Sequence, residues 1–327
     1  MSPLCDLALD ALRSHRTAAP EPAGLDAFWG AALASARAHA APPRLERHGA
    51  GIYGRLEAHD VTFSGADGHP VRAWYLRPAD AGEAPLPCRV TFIGYGGGRG
   101  VPAGHALYPA CGYAAFVMDT RAQGGTWSGG ATADPGAASS GAEHPGVMTR
   151  GIASPETYYY RRLYLDAVRA VETAAALPGV DARRVAVAGT SQGGGLALAT
   201  AALAPELVAL CHADIPFLCD IERGMDIAWE RPYTELVEFL AVHPELEDTA
   251  RATLRHIDNA LLATRIRAPT LVSVGLRDTI TPPSTVFAAY NAIGAEKDIL
   301  VMPFTGHEVA ASVVERQLAD FASRFAS

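Results

Sequence analysis

Apolar and polar positions along the chain alternate between two rhythms. Short apolar runs of strand type are followed by longer stretches with helical spacing. Leu25 to Ala40 has helical spacing. Arg55 to Phe63 and Val71 to Arg77 read as two strands joined by a turn at Asp67-Gly68. Arg89 to Ile93 is a strand of buried type that ends in Gly94-Tyr95-Gly96-Gly97-Gly98, and Ala114 to Met118 is another short apolar strand. Thr120 to Pro155 carries eight glycines and little periodicity. A structureless loop of that length in a compact domain implies a job, such as covering a pocket or building a subunit contact. Helical spacing returns from Tyr158 to Leu177. Strands are then predicted at Arg184 to Ala188, Val208 to Ala213, Thr270 to Val274 and Ile299 to Met302, and helices at Gly193 to Leu203, Pro283 to Ala292 and Val309 to Phe325. Between Pro216 and Ala263 the strand signal gives way to charged helical segments. This alternation predicts an α/β fold: a mostly parallel sheet with helices on both faces, in one domain spanning 1–327. Residues 1–45 form an N-terminal helical extension in this reading, and 216–263 a helical insertion.

Composition narrows the function. The 327 residues are 49% hydrophobic and 19% charged, enough for a sizeable core. Asp and Glu number 35 against 27 Lys and Arg, for a net charge of -8 without a basic run. Nucleic-acid binding is therefore not expected. No apolar stretch reaches the roughly 18–20 residues that span a bilayer. Met1 to Pro20 is interrupted by Asp6, Asp10, Arg13 and Arg16, unlike a secretory leader. The five cysteines, Cys5, Cys88, Cys111, Cys211 and Cys219, are scattered and mostly in apolar runs, so reduced buried thiols are expected. Together these features predict a cytoplasmic protein without a membrane partner.

The sharpest chemical signal is Gly189-Thr190-Ser191-Gln192-Gly193, a G-x-S-x-G turn between a predicted strand and a predicted helix. Such a turn projects a serine oxygen above a sheet, and its flanking glycines avoid the neighbouring strand and helix. A serine is a weak nucleophile and needs a base, which in turn needs an orienting acid. In sheets of this type the order is Ser, acid, His. Of the histidines after Ser191, only His307 follows the last strand and opens the last helix; His243 and His256 fall in the polar insertion and His212 in a strand. Asp278 follows the Thr270–Val274 strand and is the favoured acid, with Asp214, which also ends a strand, as runner-up. The backbone N–H groups of Tyr95 and Gln192 are the candidate oxyanion donors. Tyr95, Phe217 and Ile280 are expected to line a small acyl pocket.

Competing chemistry is poorly supported. Gly94 to Arg99 misses the dinucleotide pattern because Arg99 stands at its last glycine, and Gly189 to Gly195 lacks a P-loop lysine. No H-E-x-x-H or C-x-x-C occurs, so neither a metal nor another cofactor is expected. A serine peptidase or amidase on the same fold, or a binding protein without activity, remains as an alternative.

Taken together, these motifs resemble the acetyl xylan esterase / cephalosporin-C deacetylase family, carbohydrate esterase family 7, of the α/β-hydrolase superfamily. The likeness runs from about residue 25 to the C-terminus. It is carried by Gly94-Tyr95-Gly96-Gly97-Gly98-Arg99-Gly100, Asp119-Thr120-Arg121, Met148-Thr149-Arg150-Gly151-Ile152, Thr157 to Arg162, Gly189 to Gly195, Pro282 to Asn291 and His307-Glu308. The resemblance implies a serine esterase that removes acetyl groups from short sugar esters and from cephalosporin C. A broader short-chain carboxylesterase is the alternative. It also implies a cytoplasmic homohexamer with active sites facing an internal cavity. It places the family's catalytic groups on Ser191, Asp278 and His307 and its oxyanion donors on Tyr95 and Gln192. The chain departs from the family at Ala122, where Arg-Gly-Gln-Gly is usual, at Thr281, often cysteine, and at Phe304-Thr305-Gly306, often Tyr-Asn-Asn.

Overall fold

The structure is a computed structural model that describes residues 6–135 and 146–326. Among the described residues nine strands form one sheet: β1 (Arg44–His48), β2 (Leu56–Ser64), β3 (Pro70–Pro78), β4 (Leu86–Phe92), β5 (Ala114–Met118), β6 (Val180–Thr190), β7 (Leu210–Asp214), β8 (Thr270–Gly275) and β9 (Lys297–Met302). Their order is β1-β2-β3-β5-β4-β6-β7-β8-β9. The pairs β1–β2, β2–β3 and β3–β5 are antiparallel, and every pair from β5–β4 to β8–β9 is parallel. The helices are α1 (Leu9–Leu12), α2 (Leu25–Ala38), α3 (Leu107–Ala110), α4 (Tyr159–Ala176), α5 (Gln192–Leu203), α6 (Ile221–Ile227), α7 (Tyr233–Val242), α8 (Glu247–Arg255), α9 (Asn259–Leu262), α10 (Pro283–Ala292) and α11 (Ala311–Phe325).

Alternation along the strands sends successive side chains to opposite faces. Val185 and Val187 of β6 join the main core with Trp29, Leu163, Leu196 and Val286 from α2, α4, α5 and α10. Ala186 of β6 and Leu210 of β7 face the other way, onto Tyr108 of α3 and Phe321 and Phe325 of α11. The sheet is thus covered on both faces, in the α/β-hydrolase arrangement.

Strand β1 was not anticipated. Its sequence Arg-Leu-Glu-Arg-His is mostly exposed and forms an antiparallel edge on β2, so it carries no apolar alternation to read. Between β7 and β8 the described chain holds the helices α6 to α9. The glycine-rich 120–155 segment is described on both sides of 136–145, and Cys5 lies outside the described residues. The first part of this segment is tied to α4 by a buried charge network. Arg121 bonds Asp166 Oδ2 at 2.5 Å and Asp134 Oδ1 at 2.9 Å, and Arg162 bonds Asp134 Oδ2 at 2.7 Å. Cys88, Cys211 and Cys219 are buried free thiols, but Cys111 is exposed, because it caps the short helix α3 at the surface.

Candidate active site

Strand β6 delivers Ser191 to its C-terminal end, where the chain turns at once into α5. Ser191 has φ 59° and ψ -118°, a conformation that costs an L-residue of order 1–3 kcal/mol. Three backbone hydrogen bonds hold it there: its N–H donates to the Asp214 carbonyl at 2.9 Å, and its carbonyl accepts from Gly195 N at 3.0 Å and Phe217 N at 2.9 Å. The glycine spacing is sterically required. A Cβ on Gly189 would meet the Gly193 backbone at 2.4 Å, and one on Gly193 would meet the Phe92 carbonyl at 2.2 Å.

The structure brings Ser191, His307 and Asp278 together. His307 Nε2 stands 2.9 Å from Ser191 Oγ, and His307 Nδ1 stands 2.8 Å from Asp278 Oδ2. Asp278 is fully buried and well supplied with donors. Its Oδ1 accepts from the N–H groups of Ile280 and Thr281, each at 2.9 Å, and the Thr281 hydroxyl donates to Oδ2 at 2.8 Å. Thr281, where the family often has cysteine, thus supports the carboxylate directly. Asp214, the runner-up acid, points elsewhere. Its carboxylate accepts from Ser273 Oγ at 2.6 Å and Gln317 Nε2 at 2.9 Å, on the α11 side of the sheet. His212 is buried against Asp320 at 3.0 Å, with burial lowering its pKa. His243 is exposed, and His256 packs against Phe28.

The Ser191 N–H is engaged by the Asp214 carbonyl, so the two amides that the sequence reading named, those of Gln192 and Tyr95, remain the candidate donors. Among the described residues no protein acceptor is hydrogen-bonded to either. Gln192 opens α5, where unpaired N–H groups and the helix dipole favour negative charge. Both anchor residues are fixed through other atoms. The Tyr95 carbonyl accepts from Trp127 Nε1 at 2.8 Å. Its hydroxyl donates to Glu235 at 2.9 Å and accepts from Gly146 N at 2.9 Å and Val147 N at 3.0 Å. Burial, then the neighbouring Glu235 carboxylate, pushes the Tyr95 pKa well up, so the phenol keeps its proton. The Gln192 side chain is buried and meets Gln123, Tyr160 and the Ile93 carbonyl.

A cavity of about 500 Å³ opens over Ser191 and His307, with Tyr95, Trp127, Arg231 and Ile280 in its wall. Tyr95 and Ile280, expected in a small acyl pocket, line this cavity. Phe217 does not. It is fully buried behind Tyr95, ring centroids 6.5 Å apart, and is not among the lining residues, because its backbone is drawn inward by the bond to the Ser191 carbonyl. Sequence reasoning missed Gln123, Trp127, Arg231 and Glu235. The length of the 120–155 loop was the signal for the first two; Arg231 and Glu235 lie in the insertion, where charge looked solvated. Among the described residues no group of histidine, cysteine and carboxylate side chains is arranged to hold a metal ion.

An α/β-hydrolase sheet that carries a serine, histidine and aspartate in hydrogen-bonded series defines a carboxylic ester hydrolase type of site. The chain belongs to the acetyl xylan esterase (AXE1) family, whose model matches residues 2–325. It is similar to an acetyl xylan esterase from Paenibacillus sp. R4, with a TM-score of 0.88 and 34% identity over 97% of this chain and 99% of that one. It is equally similar to acetyl xylan esterase 1 from Thermoanaerobacterium sp. JW/SL YS485, with a TM-score of 0.88 and 32% identity over 98% of this chain and 100% of the other. It also matches acetyl esterase Axe7A of Xylanibacter ruminicola at 32% identity over 163 residues, which is 50% of this chain and 36% of that protein. The aligned segment thus spans about a third of that relative. Among the described residues no helix is long and apolar enough to cross a membrane.

Proposed function

We propose that this protein is a serine esterase that removes acetyl groups from small substrates through an acyl-enzyme. Ser191 Oγ attacks the acetyl carbonyl while His307 Nε2 takes its proton. Asp278 fixes the histidine tautomer from Nδ1 and stabilises the imidazolium. The tetrahedral oxyanion is received by the N–H groups of Tyr95 and Gln192. As it collapses, His307 returns the proton to the leaving alkoxide. Water, deprotonated by His307, then releases acetate and restores Ser191. The observation that carries this reading is the unbroken Asp278–His307–Ser191 series at 2.8 and 2.9 Å, found in an acetyl xylan esterase family chain.

Acetylated xylo-oligosaccharides and cephalosporin C are the proposed substrate range. Cytoplasmic residence and a homohexamer are proposed on the family resemblance. The proposed organisation is a single domain over 1–327, with 1–45 as its N-terminal extension and 216–263 as an insertion. The test is hydrolysis of 4-nitrophenyl esters with two, four and eight acyl carbons by the wild type and Ser191→Ala. A rate highest for acetate and lost in the variant supports the reading. A rate that survives Ser191→Ala removes the nucleophile, and one highest for octanoate removes the deacetylase. Comparing an ester with its matching amide excludes or reveals a peptidase, and light scattering reads the oligomer.

A further inference from the structure

The cavity over Ser191 has a marked charge asymmetry. Two arginines line it, Arg89 and Arg231, and among the described residues no Asp or Glu does. Arg231 pairs with Glu238 at 3.1 Å, both exposed, an arrangement that holds a guanidinium only weakly. Arg89 differs. It stands on β4 on the face turned toward α3 and α11, half-buried, and its hydrogen bonds go to neutral groups. Nη1 donates to Thr91 Oγ1 at 3.0 Å and Nη2 to Gln317 Oε1 at 3.4 Å. Its Nε is buried without a partner among the described residues. A buried cation with unfilled donors is costly unless an anion completes it.

A second cavity of about 240 Å³ shares Arg89, Thr91 and Thr190 with the first. It also holds Tyr108, whose hydroxyl is likewise buried without a partner and whose ring lies 4.5 Å under the Arg89 guanidinium. The one carboxylate in that wall, Asp214, is occupied by Ser273 and Gln317. Burial raises its pKa, against the hydrogen bonds of Ser273 and Gln317 and the charge of Arg89. His105, in the same wall, has its pKa lowered by burial.

We propose that Arg89, with the Tyr108 hydroxyl, forms an anion-receiving subsite beside the nucleophile that selects acetate esters whose alcohol portion carries a carboxylate. The proposal rests on the esterase reading given above and adds a substrate class to it. The acetyl carbonyl would sit at Ser191 and the oxyanion donors, while the alcohol portion would extend along β4 to Arg89. Fork-shaped guanidinium donors suit a carboxylate, and a charge-assisted bond in a partly dry cavity is the strong kind.

The test compares 4-acetoxybenzoate and 3-(4-acetoxyphenyl)propanoate, which differ in reach, with their neutral carboxamides. In the wild type, kcat/KM for the better acid over its amide should exceed the same ratio in Arg89→Met by about tenfold or more. Arg89→Lys should recover part of the preference. An unchanged ratio in folded Arg89→Met overturns the proposal. Calorimetric binding of 4-hydroxybenzoate and 4-hydroxybenzamide to the wild type needs neither turnover nor a stable variant. Binding of the acid at least about tenfold tighter supports the subsite, and equal binding overturns it. Failure of every acetate ester to turn over, with the acid still bound preferentially, would sink the esterase reading and leave the subsite standing.

Discussion

Gln123 is the residue whose removal best separates positioning from chemistry. Its Oε1 accepts from the Gly96 N–H at 2.7 Å, and its Nε2 donates to Gln192 Oε1 and to the Tyr159 hydroxyl, each at 2.9 Å. It therefore ties the loop that carries one proposed oxyanion donor to the residue that carries the other. In Gln123→Leu most partners keep a second bond. Gln192 Oε1 retains Tyr160 at 3.0 Å, Gln192 Nε2 retains the Ile93 carbonyl at 3.1 Å, and the Tyr159 hydroxyl retains the Arg121 carbonyl at 2.6 Å. The Gly96 N–H alone loses its acceptor. An orphaned buried donor costs about 1–3 kcal/mol, and with the weakened network about 2–3 kcal/mol is expected. In a chain of this size that lowers Tm by roughly 3–5 °C. Displacing the adjacent Tyr95 amide should reduce kcat by at least about tenfold, short of the 10²–10³ that loss of a whole donor brings. KM should change less than kcat, because the donors act most strongly on the transition state. Differential scanning fluorimetry and steady-state kinetics on 4-nitrophenyl acetate read the two effects. A variant with the lowered Tm but unchanged kcat would refute the reasoning, for it would mean that Trp127 and the Gly94–Gly97 turn fix the amide unaided.

Asp278→Asn should lower kcat by about 10⁴ with the fold intact, since the histidine loses its tautomer control; a loss under tenfold would return the acid role to Asp214. Burial alone would raise the Asp134 pKa, but the hydrogen bond and charge of Arg162 with the charge of Arg121 outweigh it and hold the carboxyl below 3.8. A depressed folded pKa gives stability that is present above the unfolded value and lost as pH falls through the folded one. The stability difference between wild type and Asp134→Asn, measured by urea unfolding, should therefore shrink as pH drops below about 4, and a difference that grows there would contradict the charge network. Ala122 sits at φ 50° and is fully buried. Ala122→Gly gains about 1–2 kcal/mol of relieved strain but loses about 0.8 kcal/mol of buried methyl and about 0.4–1 kcal/mol of unfolded-chain entropy. The net should lie near zero, and a stabilisation above about 1.5 kcal/mol would show that the strain is underestimated.

The proposed nucleophile was legible because its turn imposes itself on the sequence. Gly189 and Gly193 are demanded by backbone contacts shorter than any Cβ tolerates, and the strand and helix on either side have strong periodicity. His307 was legible by chain order. The acid was ambiguous because Asp214 and Asp278 both end strands, and only the three-dimensional partners separate them: Ser273 and Gln317 for one, His307 and Thr281 for the other. Phe217 was misplaced because its apolar character suits a pocket wall and the layer behind it equally well. Gln123, Trp127 and Glu235 were hidden for a different reason. They act on Tyr95 and its loop from 27, 32 and 140 positions away in the chain, through hydrogen bonds that no local pattern announces.

Backbone strain marks the same region without any reference to motifs. Among the described residues six non-glycine residues have positive φ, and four of them, Ser191, Ile215, Leu218 and Asp220, lie at or just beyond the β6 and β7 ends beside the proposed nucleophile. A fifth, Ala122, adjoins Gln123, and only Asp67 sits in a remote turn. Such conformations persist where the surroundings over-determine them. Here each is clamped: the Ile215 N–H by the Ser273 carbonyl at 2.9 Å, the Leu218 carbonyl by Asn259 N at 2.9 Å, and the Asp220 N–H by Asp258 at 2.7 Å. The clamps come from β8 and from the start of α9, which close over the segment after β7. The helices between β7 and β8 thus do two things at once. They wall the cavity with Arg231, and they brace the bent chain whose Phe217 N–H holds the Ser191 carbonyl at 2.9 Å. A fold that needed only stability would not gather its unfavourable φ angles around one serine; one that must present that serine's oxygen to a histidine has reason to do so.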